Sequence, residues 1–353
     1  DIFVPTHAGI NLTVACVNSL YQFTKAPFHL IFMDDAPAAD YGLTEQYVTE
    51  MQKTHNNITY IRSNIPWKCG NTFFNAALRY SKTPITVTCM NSMTVVPGWE
   101  TTALRLMEDD PLIGSIGFKC LFPSGLIESA GLVFVGNLPT DYGRDLPGHW
   151  CTEIRDAECV QWAFAMHRRR ALEGNLPEDI YNGHVGWDDI DNNFILKSKG
   201  WKMVYCGQGS GVHQPRATRG SNSVEAHNKN QENGRTFYKR WGLWDQFIEG
   251  SKMDVRNTLK YETKAELSTQ VNKILVLQQL VREAEAAIQP LVINALAELK
   301  VDPDKYLLEM NPATDTWLLK LNSELVAESL AEAPVVSDNR HETPEKTIEA
   351  VKT

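Results

Sequence analysis

Between Ile2 and Met90, apolar runs of strand length alternate with stretches of helical period, and this alternation constrains the fold more than any other feature of the chain. Ile2-Phe-Val4 runs into Pro5-Thr6, after which Leu12, Ala15, Cys16 and Leu20 recur at helical spacing. Phe28 to Met33 is almost continuously apolar, as a parallel strand covered on both faces should be, and it stops at Asp34-Asp35. A helix over Thr44 to His55, a strand over Ile58 to Ile61, a helix over Gly70 to Tyr80 and a strand over Ile85 to Met90 complete a β-α-β-α-β-α-β series. Such a series predicts an α/β fold, a doubly wound and mostly parallel sheet flanked by helices, whose ligands lie beyond the carboxyl ends of the strands. In this chain those ends are Pro5-Thr6, Asp34-Asp35, Arg62 to Asn64 and Asn91-Ser92-Met93.

Several function classes are disfavoured at once. No G-x-G-x-x-G follows the first strand and no P-loop sequence occurs, which argues against a dinucleotide fingerprint or a Walker phosphate cradle. A net charge of -9 argues against an extended basic surface, so no nucleic-acid partner is expected. The seven cysteines are scattered without a C-x-x-C pair and read as reduced thiols, not as a disulfide framework or a zinc site; a reducing, cytoplasmic location follows as an expectation. No signal peptide is evident, and no apolar run reaches the length of about 18 residues needed for a transmembrane segment.

The richest chemistry lies in Gly183-His-Val-Gly-Trp-Asp-Asp-Ile-Asp191, where three carboxylates precede a helical pattern carrying Phe194, Ile195 and Leu196. Asp188 could cap that helix, with Asp189 and Asp191 favoured in its first turn by the dipole; alternatively one of them faces a cleft as a general base. His213 follows the strand Met203 to Cys206 and a glycine-rich loop, Gly207 to Pro215, and is either a structural hydrogen-bonding residue or a metal or phosphate contact. Trp162, in an expected buried strand from Cys159 to Met166, and Trp187 are either core or a platform for the C–H face of a sugar. Asp34 either caps the turn after its strand or accepts from the ring N–H of a uracil or guanine base.

Taken in order, Pro5-Thr6-His7, Ser19-Leu20, Leu30-Ile-Phe-Met-Asp-Asp35, Asn64, Gly70, Asn75 and Val95-Val-Pro-Gly-Trp99 resemble the nucleotide-sugar half of inverting glycosyltransferases with the GT-A fold. The acceptor half is matched by Gly114-Ser-Ile-Gly117, Ser124 to Gly131, Arg168-Arg169, Ala171-Leu172, Trp187 to Asp191, Gly200-Trp201 and His213, so that the likeness covers about residues 1 to 245. The resemblance is to the family-two-like, nucleotide-sugar-dependent type. It implies that Thr6, Asp34 and Asn64 contact the nucleoside and that Asn91 stands at the metal-motif position, while Arg216 is a further candidate donor contact because a guanidinium pairs with phosphate. It also implies that Asp189 is the base, with Asp188 as the alternate, and that Trp187, Asp191 and Trp162 face the acceptor. The implied substrates are a UDP- or GDP-type sugar and a glycan, protein or small-molecule hydroxyl.

One position departs from the pattern. The D-x-D motif that holds Mn²⁺ or Mg²⁺ is replaced by Asn91-Ser92-Met93, which removes the carboxylate ligands a hard cation prefers. Three outcomes follow. A cation could be held weakly by Asn91, His213 and the diphosphate; arginines among Arg168, Arg169, Arg216 and Arg219 could stabilise the leaving group; or the chain could bind without turnover. Residues 215 to 235 read as a loop that closes over nucleotide, followed by a helix from Phe237 to Phe247.

Near Ser251 the composition changes. From Val255 to Gln289 neither Gly nor Pro occurs, and Leu259, Leu267, Val271, Ile274, Leu275, Val281 and Ala284 predict a long amphipathic helix. Further helices are expected from Leu291 to Lys300 and from Asp315 to Ala331, giving a GT-A domain over 1–250, a helical domain over 251–332 and a disordered tail over 333–353. Within the first domain, 1–100 is the nucleotide-sugar half and 101–250 the acceptor half. The apolar stripes of the C-terminal helices suit either an intramolecular cap or a homo-oligomer.

Overall fold

The computed structural model describes residues 1–35, 42–63, 67, 69–135, 138–183, 186–215 and 224–243, with five helical positions between 270 and 279 and the segments 306–311 and 316–321. Two compact units divide the chain, Asp1–Val276 and Leu277–Thr353. The first opens with β1 (Ile2–Thr6), α1 (Ile10–Phe23), β2 (Leu30–Asp34), α2 (Leu43–Gln52), β3 (Ile58–Arg62), α3 (Gly70–Leu78) and β4 (Ile85–Cys89), which is the expected alternation. There follow β5 (Met93–Val95), α4 (Thr101–Asp109), β6 (Ile113–Leu121), β7 (Ile127–Ser129), β8 (Leu132–Val135), β9 (Leu138–Asp141) and β10 (Ile154–Asp156). β11 (Phe164–Arg168), α5 (Arg169–Leu172), α6 (Asp188–Ser198), β12 (Lys202–His213) and α7 (Val224–Arg240) complete its named elements.

The main sheet has the order β10-β12-β6-β11-β4-β1-β2-β3, with β5 on β12 and β7 on β6. β3, β2, β1 and β4 are mutually parallel, and β11 enters antiparallel between β4 and β6. All five residues of β1 and of β2 are buried, which is why both read as unbroken apolar runs. Because β2 and β3 lie on one side of β1 and β4 on the other, the topological switch point falls between β1 and β4 and fixes where a ligand crevice forms.

Helix α1 buries Thr13, Cys16, Val17 and Leu20, one helical face that is rotated from the expected stripe so that Ala15 points to solvent. Beneath the sheet, Trp99 packs on Phe118 and Phe164 at centroid distances of 5.3 and 5.1 Å, part of a core that also holds Val4, Phe32 and Met166. All seven cysteines are buried free thiols. Among the described residues, no helix is long and apolar enough to cross a membrane.

Several expected elements are corrected. The glycine-rich run after Cys206 is not a loop but the second half of the twelve-residue strand β12; its glycines admit close neighbours, since a Cβ at Gly211 would lie 2.6 Å from the Met93 sulfur. Residues 224–235, expected as a lid loop, belong to α7, which also carries Phe237 and Tyr238; residues 216–223 lie outside the described segments. The strand expected from Cys159 begins only at Phe164, because the Asn193 carboxamide takes both backbone groups of Val160, accepting from its N–H at 3.0 Å and donating to its carbonyl at 2.9 Å.

In the second unit, Tyr306–Asn311 (β13) pairs antiparallel with Thr316–Leu321 (β14), in place of the start of the expected third helix. The alternation in Thr-Trp-Leu-Leu-Lys-Leu and the Pro312 break between the two runs favour a hairpin over a helix. Gln270, Ile274, Val276, Leu277 and Gln279 are helical, while the rest of the long helix, the second helix and the tail lie outside the described residues.

Candidate functional site

The parallel strands set the first part of the site. Their register places Thr6 beside Asp34 and Asp34 beside Arg62, a row at the carboxyl ends of β1, β2 and β3. Thr6 is buried and its hydroxyl donates to the Met33 carbonyl at 3.4 Å. Asp34 is fully buried, and its Oδ2 accepts from the Tyr60 hydroxyl and, at 3.0 Å, from Arg62 Nη1. Burial, and then the bond to Asp34, push the Tyr60 phenol well up from its ordinary value. The Asp34 carboxylate is thus engaged by both Tyr60 and Arg62. Next to it, Asp35 Oδ1 meets His7 Nδ1 at 2.9 Å and Oδ2 accepts the Trp67 backbone N–H at 2.8 Å. Asn64 and Arg216 lie outside the described residues.

Across the switch point, the turn after β4 carries Asn91-Ser92-Met93. Asn91 is 5% exposed, and its amide nitrogen donates to Ala8 O and Thr13 Oγ1, both at 3.1 Å, tying the turn to the start of α1. The antiparallel pairing of β5 and β12 sets His213 opposite Met93, and the Gln214 N–H bonds the Ser92 carbonyl at 2.9 Å. His213 Nδ1 lies 2.7 Å from Glu128 Oε2 on β7, a partner that the spacing of the sequence did not single out. With Glu128 accepting from Nδ1–H, the other ring nitrogen presents a lone pair, the tautomer in which a metal-binding histidine is held. The turn opposite supplies a carboxamide already committed through its nitrogen, a hydroxyl and a thioether. No group of three or more His, Cys, Asp or Glu among the described residues is arranged to hold a metal ion. The donor set therefore does not fit a divalent cation held by the protein alone.

The third part is the start of α6. Here the cap lies between helices: Asp188 Oδ2 accepts the Gly70 N–H at 2.7 Å, capping α3 where the dipole favours a carboxylate. Asp191 is fully buried; its Oδ1 accepts from Trp241 Nε1 at 2.6 Å and faces Arg240 Nε at 3.2 Å. Burial pushes the Asp191 carboxyl up, against the pull of Trp241 and Arg240. Asp189 is half-buried, with Oδ1 accepting the Ile190 N–H at 2.9 Å. Of the three carboxylates, then, Asp188 and Asp191 are engaged inside the fold and Asp189 retains access to solvent. Asp191 is thereby corrected from an acceptor contact to an internal anchor.

The aromatic candidates separate in the same way. Trp162 is 1% exposed, packed between Phe74 and His167 at 5.5 and 4.4 Å, and is corrected from a sugar platform to core. Trp187 is half-buried, adopts the left-handed backbone at φ 81°, and leans on Phe237 and Tyr238 of α7 at 5.4 and 5.5 Å. Of the arginines expected to balance a leaving group, Arg168 donates to the carbonyls of Met107, Asp110 and Ile113 behind α4 and Arg169 pairs with Glu173 at 2.8 Å, while Arg216 and Arg219 lie outside the described residues.

No family model matches the chain. Uncharacterized protein y4gI of Sinorhizobium fredii is 25% identical over 232 residues, covering 62% of this chain, which spans only 25% of that relative's length. Among solved structures, GalNAc-T7 with UDP, GalNAc and Mn²⁺ superposes with a TM-score of 0.56 at 11% identity, over 77% of this chain and 54% of that one. The Pyrobaculum calidifontis mannosyltransferase PcManGT, with GDP-Man and Mn²⁺, reaches 0.43 at 14% identity, over 81% and 85% of the two chains. S. aureus TarS reaches 0.47 at 12%, over 74% and 46%. This chain thus spans about half of the GalNAc-T7 chain. The first of these likenesses shows the fold: a mixed α/β architecture of the GT-A type found in glycosyltransferases.

Proposed function

We propose that the chain is a glycosyltransferase that moves a sugar from a UDP- or GDP-type donor to an acceptor hydroxyl with inversion, using Asp189 as the base. The observation that carries this reading is the convergence at the β1/β4 switch point. Thr6, Asp34 and Arg62 stand in register on one side, and β5–β12 pairing seats His213 against Asn91-Ser92-Met93 on the other. The GT-A fold supports the same assignment.

In the reaction, Asp189 takes the proton of the acceptor hydroxyl as its oxygen attacks the anomeric carbon. The bond from that carbon to the diphosphate breaks, and the nucleoside diphosphate leaves with the electron pair. One base suffices for this single displacement, and Asp189 is the half-buried carboxylate of the three, whereas Asp188 and Asp191 are buried. The protein's own group at the diphosphate side is His213, oriented by Glu128. Acceptor binding falls to Trp187 beside the base.

Asp189→Asn should leave UDP or GDP binding unchanged and lower transfer by roughly 10²- to 10⁴-fold, the usual worth of a general base. Full activity in this variant would remove Asp189 from the mechanism. A thermal-shift panel of nucleotide sugars, with and without Mn²⁺, identifies the donor, because ligand binding to the folded state raises the melting point. A second reading is favoured by Asn91, whose amide is built into the α1 junction where a metal-binding carboxylate would stand: a nucleotide- or carbohydrate-binding module without turnover. Binding of UDP or GDP with no nucleotide released from any donor would select it.

A further inference from the structure

Helix α7 grips the turn that delivers the base. Asn233 is 2% exposed, and its carboxamide binds that turn three times: it accepts the Asn182 N–H at 3.2 Å and donates to the Asn182 carbonyl at 3.2 Å and the Gly186 carbonyl at 3.3 Å. The adjacent Gly234 is helical, where glycine costs roughly 1 kcal/mol relative to alanine. Its reason is contact: a Cβ there would lie 2.8 Å from Cζ2 and 3.0 Å from Cε2 of the Trp187 ring. Trp187 in turn holds a left-handed backbone unusual for a bulky residue, and its carbonyl accepts the Asp191 N–H at 2.9 Å, the first hydrogen bond of α6. Nearly two turns farther on, Arg240 at the end of α7 and Trp241 just beyond it hold Asp191. A single helix thus fixes both the entry to α6 and its first turn, with Asp189 between them.

We infer that Asn233 is a positioning residue: with Gly234 it holds Asn182 and the strained Gly186–Trp187 entry to α6, which aims Asp189 at the acceptor. The inference rests on the proposed transferase reading, since it assigns the turn's strain to the placement of that base. Local strain of this kind persists only where neighbouring structure over-determines it, and here three hydrogen bonds and an indole seated on a glycine do so. A misplacement of about 1 Å at a reacting group lowers a rate by about 100-fold, so a clamp distant from the chemistry can control it.

The test compares the full chain with Asn233→Ala, Asn233→Asp and Gly234→Ala. Asn233→Asp keeps the acceptor for Asn182 N–H and loses both donated bonds; Gly234→Ala leaves the bonds and displaces the indole. Three quantities are read: amide exchange of the peptide spanning 182–187 against that of β1 and β4, UDP and GDP binding, and nucleotide release from a panel of UDP- and GDP-sugars. The expected result is faster exchange confined to the turn, nucleotide affinity within about twofold, and release slowed by about 10- to 100-fold in kcat with the donor KM unchanged. Faster turn exchange with wild-type turnover would overturn the positioning role, as would a joint loss of turnover, nucleotide affinity and core protection. A wild type that releases no nucleotide from any donor would overturn the transferase reading itself, and this inference with it.

Discussion

Replacing Gly70 with alanine tests the interhelical cap on which the placement of Asp188 and Asp189 depends. The new methyl carbon would stand 2.3 Å from Asp188 Oδ2, whereas a carbon and an oxygen settle at about 3.3 Å, so the carboxylate must retreat by about 1 Å. Its bond from the Gly70 N–H, now 2.7 Å, then passes beyond hydrogen-bond range. A hydrogen bond to a charged group contributes about 1.5–3 kcal/mol, and a carboxylate at a partly buried helix N-terminus up to about 2 kcal/mol more. The chain-entropy advantage of alanine over glycine returns about 0.4–1 kcal/mol, which leaves a net loss of about 2–3 kcal/mol. Urea unfolding at constant slope measures it, and a cycle with Asp188→Ala isolates its origin. Once Asp188→Ala has removed the bond, adding Gly70→Ala should cost nothing and return the gain of about 0.4–1 kcal/mol. A Gly70→Ala loss below about 0.5 kcal/mol, or a double variant whose losses add, would refute the cap as described.

Two further predictions rest on buried groups. His167 is fully buried, with its ring nitrogens 3.1 Å from Thr88 Oγ1 and 2.8 Å from Ser115 Oγ, and burial lowers its pKa from 6.5 to about 3. Between those values only the unfolded chain takes up the proton, so stability present above pH 6.5 is lost on acidification; between pH 7 and 4.5 the loss is about 3 kcal/mol. That drop, read as wild type minus His167→Gln in urea titrations, should be close to zero if the ring protonates in place. Asn91→Asp loses both donated bonds and turns a carboxylate toward the Ala8 carbonyl, so it should cost about 2 kcal/mol, with Mn²⁺ recovering part of the melting temperature. An Asn91→Asp melting temperature equal to wild type without metal would show that the amide does not anchor the turn.

The first half of the fold was legible because its physics is local. Strands buried on both faces are apolar throughout, and the helices between them are amphipathic, so β1 to β4 and α1 to α3 can be read from period alone. The acidic start of α6 was legible as a site, but the division of labour within it was not. Asp188 is set by an N–H that lies 118 positions earlier in the chain, and Asp191 by an indole 50 positions later. The second half of β12 was misread because glycine was taken as a sign of a loop when it marks close approach. Glu128 stood inside a quoted motif without a role, and only the β6–β7 pairing and the β12 register bring it to His213. Trp162 could not be told from a surface platform because an indole has the same identity on either side of a sheet.

β12 keeps two separate appointments with β6. Cys206 pairs with Phe118 and Ser210 with Lys119, so residues 207–209 have no counterpart on the partner strand. Upstream of them β12 carries β10, and downstream it carries β5 and His213. Those three residues form an irregular bulge between the two halves, and the downstream register that sets His213 beside Glu128 is fixed separately, by pairing with β6 and β5. Within the bulge, composition is the stricter constraint: a Cβ at Gly207 would stand 2.1 Å from the Cys151 carbonyl oxygen and one at Gly209 2.4 Å from that of Trp99, so related chains with this bulge should keep glycine at both positions.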